Sequence, residues 1–373
     1  MTLAYDSCPY NELPPQAFFR NLDGLDRDIL LQPDRILSIG PADKIISAGS
    51  CFAAKIAESC RESGLTYLFS DDRCSSDPNE IREESRAFFS LRYGNIYTTR
   101  HLAQLLRRAT GKVVIQPPIS VDKNGRYRNL SRPSTLSYSS IDLLREDDDA
   151  HLSNIRKLLE RATVFAFTLG LTEQWIDSET GITFPSAPGC GFGEFDASRH
   201  FFHNATFFEV VEELRESIAL LREINANLSI IFTLSPVPLV ATYTRASAIE
   251  ATFYSKSLLR QAIAEVVSKP MSGDPPTLYF PSYEIVTNPF RVTENFSSDM
   301  RSVTKLGVNR VMEQFREWFV SKAVSEPRVS VITPDQPESL AVMADDMTIT
   351  IDAEPECEEE NIWKAYLHNY DVD

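Results

Sequence analysis

The stretch Lys44-Ile45-Ile46-Ser47-Ala48-Gly49-Ser50-Cys51-Phe52-Ala53-Ala54-Lys55-Ile56-Ala57-Glu58 changes its rhythm at its centre. Its first five residues form a short β-rich run that ends at Gly49. From Phe52 to Glu58 the pattern reads as helix, and it stops near Gly64. A strand that feeds a helix through a small-residue turn opens a doubly wound sheet.

The alternation continues outward from there. Residues 99–108 read as helix, with Leu102, Leu105 and Leu106 on one face. Residues 164–169 form a buried strand candidate ending at Gly170, and 208–224 a strongly periodic helix. A second apolar strand over 228–234 is closed by Ser235-Pro236. A helix over 255–268, a short strand over 278–280 and an amphipathic helix over 303–320 follow. Strands that are apolar on both faces fit a parallel sheet covered by helices better than a sandwich. The expected fold is a three-layer α/β/α domain over residues 1–320. Its insertion, over about 112–152, contains hairpin-like pieces (Asp122-Lys123-Asn124-Gly125) and polar loop.

Charge separates the tail from the body. The chain of 373 residues carries −16, and residues 321–373 alone supply −10, from 13 acidic and 3 basic side chains. The body is mildly acidic and would repel phosphate backbones, so no nucleic-acid partner is expected. A solvated, disordered tail is expected from 321. Against that, Ile362, Trp363, Tyr366, Leu367 and Tyr370 share one helical face, just after Glu358-Glu359-Glu360. A short helix over 361–370 would dock on this domain or on a protein partner through 354–373. No apolar run reaches the roughly 18 residues of a membrane span. The start shows no basic and apolar leader pattern, so a cytoplasmic location and no membrane are expected. The six cysteines (8, 51, 60, 74, 190, 357) form no CxxC pair and read as reduced thiols. No metal constellation or cofactor motif stands out, and Gly189-Cys190-Gly191-Phe192-Gly193 reads as plain loop. Paired carboxylates such as Glu83-Glu84 and Asp147-Asp148-Asp149 read as solvated.

A parallel sheet gathers its strand ends, and three of them finish in small or polar residues. These are Gly49-Ser50-Cys51, Gly170-Leu171-Thr172-Glu173 and Ser235-Pro236; Gly94-Asn95 sits in a loop before a helix. A Ser at such a junction is more often a helix cap than a nucleophile. Cys51 in the first turn of a helix would feel unpaired N–H groups and the positive end of the dipole, which favour thiolate. Its other reading is a buried small hydrophobe.

Gly49-Ser50-Cys51-Phe52-Ala53 resembles the signature of the GSCFA family, a branch related to the SGNH (GDSL-type) hydrolases. Similar blocks follow in order at 92–98, 168–175, 235–239 and 254–257, so the resemblance runs from about residue 40 to 320. It implies a flavodoxin-like sheet and an esterase, lipase or acyltransferase. In that register Ser50 replaces the Asp of Gly-Asp-Ser, and Cys51 holds the nucleophile position. The oxyanion candidates are Gly94 and Asn95, with Gly170 behind them; Thr172 and Glu173 belong to the third block, where Glu173 replaces an Asn.

The pattern breaks at the last block, Asp-x-x-His, which reads Asp299-Met300-Arg301-Ser302 here. Asp299 is present, and Ser302 stands where the imidazole base belongs. His200 and His203 are the remaining candidate bases, against a surface or cap role. Two functions stay open. One is an ester hydrolase or O-acyltransferase acting on an acylated carbohydrate or small ester, with Cys51 as nucleophile and Ser50 its neighbour or the true nucleophile. The other is an inactive binding or scaffold protein that uses its tail.

Overall fold

Val164–Leu169 and Ser229–Leu234 are buried at every position, a pattern that only a strand covered on both faces tolerates. The computed structural model describes residues 10, 13–22, 30, 37–50, 52, 53, 55, 60, 64–70, 89–132, 136–191, 193–269, 273–321 and 359–368. Among these, ten strands follow in chain order: β1 (Lys44–Gly49), β2 (Thr66–Tyr67), β3 (Ile119–Val121), β4 (Tyr127–Asn129), β5 (Val164–Leu169), β6 (Glu173–Asp177), β7 (Thr183–Phe184), β8 (His200–Asn204), β9 (Ser229–Leu234) and β10 (Thr277–Phe280).

The central sheet runs β2-β1-β5-β9-β10, parallel at every pairing. Counted within the sheet this is the flavodoxin-like order 2-1-3-4-5, which reverses direction between β1 and β5. Successive side chains of a strand point to opposite faces, and each face has its own core. Phe165, Phe167, Ile230 and Phe232 pack against the helices Thr99–Ala109, Ile141–Arg161, Phe207–Ile224 and Ala248–Val267. Val164, Ala166 and Ile231 pack on the other face against Val311, Met312, Phe315 and Trp318 of the Lys305–Phe319 helix. The three-layer α/β/α architecture is the one the sequence pattern implies.

Four differences have physical causes. The Ala248–Val267 helix starts well before residue 255, because Ser247 and Glu250 form a reciprocal capping box. The β3–β4 hairpin turns at Asp122–Gly125 as expected, but residues 141–152 are the first half of the Ile141–Arg161 helix rather than polar loop. Asp147 and Asp148 are buried, not solvated. Arg132 and the Tyr138 hydroxyl (2.6 Å) hold Asp147, and Arg108 and Asn129 (2.9 Å) hold Asp148. Buried carboxylates persist when paired and hydrogen-bonded. Finally, His200–Asn204 is strand β8, which joins β6 and β7 in a small antiparallel sheet that follows β5.

Glu83, Glu84 and the tail over 322–358 lie outside the described residues. The tail's helix is Glu360–His368, and it sits on this domain. Its apolar stripe does not dock as one face: Ile362 turns inward with Ala365, while Trp363, Tyr366 and Leu367 are exposed.

Candidate active site

Gly49 is fixed by conformation and by crowding together. Its φ is +133°, and a Cβ there would lie 2.3 Å from the Thr168 carbonyl oxygen. Its own carbonyl accepts the Ile96 N–H at 2.8 Å, and the next residue, Ser50, donates its N–H to Thr168 O at 3.1 Å. Gly170 and Leu171 donate to Tyr97 O at 2.9 and 3.2 Å, and Ser235 donates to Leu169 O at 2.8 Å. The carboxyl ends of β1, β5 and β9 are thus laced to each other and to the loop before the Thr99–Ala109 helix. This is the crevice at the switch in strand order, where open α/β sheets bind their ligands.

Ser50 lies in that crevice, 2% exposed, and its hydroxyl makes no hydrogen bond among the described residues. Tyr97, Gly170, Ser235, Lys256 and Glu359 line the pocket with it. Lys256 is also 2% exposed, and its ammonium donates to Gly170 O at 2.6 Å. Sequence reasoning gave Lys256 no role. The available signal was a charged residue on the stripe shared with Leu259 and Ile263, which are both fully buried.

Cys51 lies outside the described residues, directly after Ser50. Gly94, at φ +92°, and the fully buried Asn95 precede Ile96, which clamps Gly49; neither is among the residues lining the Ser50 pocket. Thr172 receives no ligand-facing role from its bonds: its N–H goes to Ser255 Oγ at 3.0 Å and its hydroxyl to Asn204 Oδ1 at 2.6 Å. Glu173 accepts the Thr242 hydroxyl at 2.5 Å and the Tyr243 N–H at 3.0 Å, and burial pushes its carboxyl up from the ordinary range.

Asp299 and Ser302 form an exposed turn of their own. The Ser302 hydroxyl donates to Asp299 at 2.6 Å and, with the Arg301 and Ser302 N–H groups, holds the carboxyl below its usual range. Among the described residues the turn meets the pocket lining through Arg301, which pairs with Glu359 at 3.2 Å and with Glu360. His200 accepts the Asp196 N–H at Nδ1 (3.2 Å) and lies edge-on to Phe184; His203 pairs with Glu209 at 3.0 Å. Neither histidine lines the Ser50 pocket. Among the described residues, no group of three or more His, Cys, Asp or Glu could hold a metal ion, and no helix is long and apolar enough to cross a membrane.

The pocket shares Tyr97, Leu171, Leu239 and Glu359 with a larger chamber of about 450 Å³. Trp175 lines it, with the rings of Tyr243, Phe195 and Phe202 at 4.7, 5.4 and 5.7 Å. Gln174 also lines it; the residue is 4% exposed, and neither atom of its amide has a hydrogen-bond partner among the described residues. The antiparallel sheet that supplies these walls was not legible in the sequence, because its buried positions include Gln174 and Asp177.

Among curated proteins, none matches the chain significantly. Three similar solved structures each share 10% identity with it. A carbohydrate esterase family 3 protein from Talaromyces cellulolyticus covers 73% of this chain and 94% of its own, at a TM-score of 0.34. A mutant acetyl esterase with acetate ion covers 73% and 93%, at 0.32. A mutant acetyl-xylooligosaccharide esterase from Geobacillus Stearmophilus covers 79% and 99%, at 0.28. The GSCFA family model matches residues 44–315, a span that opens with β1 and takes in every strand of the central sheet, and the chain belongs to the GSCFA family.

Proposed function

We propose that the chain is an ester hydrolase or O-acyltransferase that acts on an acylated carbohydrate through a nucleophile at the Gly49-Ser50-Cys51 turn. The observation that carries this reading is a single cleft in which the Ser50 hydroxyl and the buried Lys256 ammonium adjoin a chamber containing the unpaired Gln174 amide. The nucleophile, Cys51 thiolate or Ser50 hydroxyl, adds to the ester carbonyl carbon, and the carbonyl π pair moves onto oxygen. The fixed charge of Lys256 stabilises that oxyanion. Collapse breaks the ester C–O bond. The alkoxide takes up, through solvent, the proton that the nucleophile gave up and leaves as the alcohol. Water or a second alcohol then adds to the acyl carbon and returns its proton to Ser50 or Cys51 as that bond breaks. Asp299 holds the Arg301 turn against the pocket rather than orienting a base.

Gln174 favours the carbohydrate over a plain alkyl ester. A buried amide left unpaired costs about 1–3 kcal/mol. Neighbouring sugar hydroxyls each donate and accept, so a pair of them satisfies both ends of the carboxamide, whereas an alkyl chain satisfies neither. The ring's C–H faces pack on the aromatic walls. Hydrolysis of an aryl acetate and of an acetylated sugar tests the proposal. Cys51→Ala or Ser50→Ala is expected to lower turnover of both by about 10²-fold or more. Gln174→Leu is expected to raise KM for the sugar about tenfold and leave the aryl ester unaffected. If both serine and cysteine variants match the parent, the acyl mechanism is wrong.

The second reading, a binding protein on the same fold, is favoured by Ser302, whose hydroxyl is committed to Asp299, and by the absence of an imidazole among the described residues that line the Ser50 pocket. It is expected to show saturable sugar binding that needs Gln174, with no turnover in the parent.

A further inference from the structure

The helix Glu360–His368 lies across the cleft. Ile362 and Ala365 line the aromatic chamber, and Glu359, just before the helix, lines both the chamber and the Ser50 pocket. Arg301 grips the entry end through Glu359 and Glu360, and the Glu359 side chain is 13% exposed. Asn361 packs over Gly191, where a Cβ would come within 2.8 Å of the Asn361 side chain. A site meant to receive substrate is therefore already occupied at its rim.

The occupant is held lightly. Nine residues of helix are marginal in isolation, so the docked form depends on its contacts with the domain. Its larger apolar side chains leave about half of their surface outside: Trp363, Tyr366 and Leu367 are 48%, 49% and 41% exposed. Its contacts with the domain include two ion pairs with one arginine, Asn361 over Gly191 and the small inward face of Ile362 and Ala365. The helix belongs to the same chain as the cleft, so it returns as an intramolecular ligand whenever it leaves.

We propose that residues 359–368 are a tethered plug of this cleft, an acidic helix that competes with substrate, with Arg301 as its latch and the Glu359 carboxylate beside Ser50 and Lys256. Competition with substrate rests on the esterase reading; the plugging itself does not. A carboxylate in that position resembles the acid released when an ester is cleaved, which explains why an acidic residue leads the helix. Displacing the segment opens the Ser50 pocket and the chamber together.

Two readouts in the full chain test the plug. Cys190 is a free, half-buried thiol on the chamber wall, and its alkylation by iodoacetamide, mapped by mass spectrometry, reports opening without any turnover. Aryl acetate hydrolysis reports competition. The latch variant Glu359→Gln with Glu360→Gln, and separately Ala365→Asp, are each expected to raise both rates several-fold. Unchanged Cys190 alkylation in both variants overturns the plug. Faster alkylation with flat or lower hydrolysis, in a parent that does hydrolyse, overturns competition with substrate. Faster alkylation with no hydrolysis in any form supports the plug and counts against the esterase reading instead.

Discussion

Gly49 concentrates the demands of the site in one residue. Its φ of +133° strains any side chain, and the Thr168 carbonyl leaves no room for one. The two effects are separable, because Gly64 has φ +70° with open space around its Cβ position. Gly49→Ala is expected to destabilise the protein by about 3–5 kcal/mol, adding crowding to backbone strain. Gly64→Ala is expected to cost only about 1 kcal/mol. Denaturant unfolding of both variants checks this, and equal losses would mean that the close approach of β1 to β5 contributes nothing. Gly49, Ser50 and Gly170 stand out in the sequence through the family signature and the strand ends they close, because a small residue at a strand end taken alone is more often a turn or a cap. Lys256, Gln174 and Glu359 were not readable. Each looks like an ordinary polar residue of its own segment, and only the convergence of the Ala248–Val267 helix, β6 and the C-terminal helix on one crevice gives it a role.

Elements were legible where burial is apolar and illegible where it is polar. β5 and β9 announce themselves because all their positions are buried and most are hydrophobic. Residues 141–152 look like polar loop in the sequence because the face that docks carries Asp147 and Asp148, whose partners Arg132 and Arg108 lie on other segments. The seam between the Thr99–Ala109 and Phe207–Ile224 helices has the same character and gives a pH test. Thr99 donates its hydroxyl to Glu213 at 2.5 Å, yet burial pushes that carboxyl up from its ordinary 4.5 to about 7. A carboxyl that binds its proton more tightly when folded adds stability below about pH 4.5, and that contribution is lost as pH rises through 7. Glu213→Gln keeps the bond from Thr99 and removes the titration. It is expected to match the parent near pH 5 relative to its own baseline and to gain about 1–3 kcal/mol on it by pH 8. Thermal unfolding of both proteins across that range decides it; parallel profiles would show that Glu213 stays ionised in the seam.

At the scale of the whole molecule, the two cores share one backbone. Ile231 and Phe232 are neighbours in β9, yet Ile231 packs against the face of the Lys305–Phe319 helix and Phe232 against the four helices opposite. β1 and β5 divide their side chains the same way. Neither face can lose its packing without moving the sheet that carries the other. A chain of this length ordinarily invites independent domains, but a shared sheet leaves no boundary along which two could part. Phe232→Ala and Phe315→Ala remove fully buried rings from opposite cores, and each is expected to cost about 3–5 kcal/mol. Both should lower the same single melting transition, seen alike by far-ultraviolet circular dichroism and by tryptophan fluorescence. In a Trp175→Phe, Trp363→Phe background, Trp318 reports the second core directly. If Phe315→Ala splits the melt, so that the Trp318 signal moves and the helical signal of the opposite face stays, the two layers unfold independently and the sheet does not couple them.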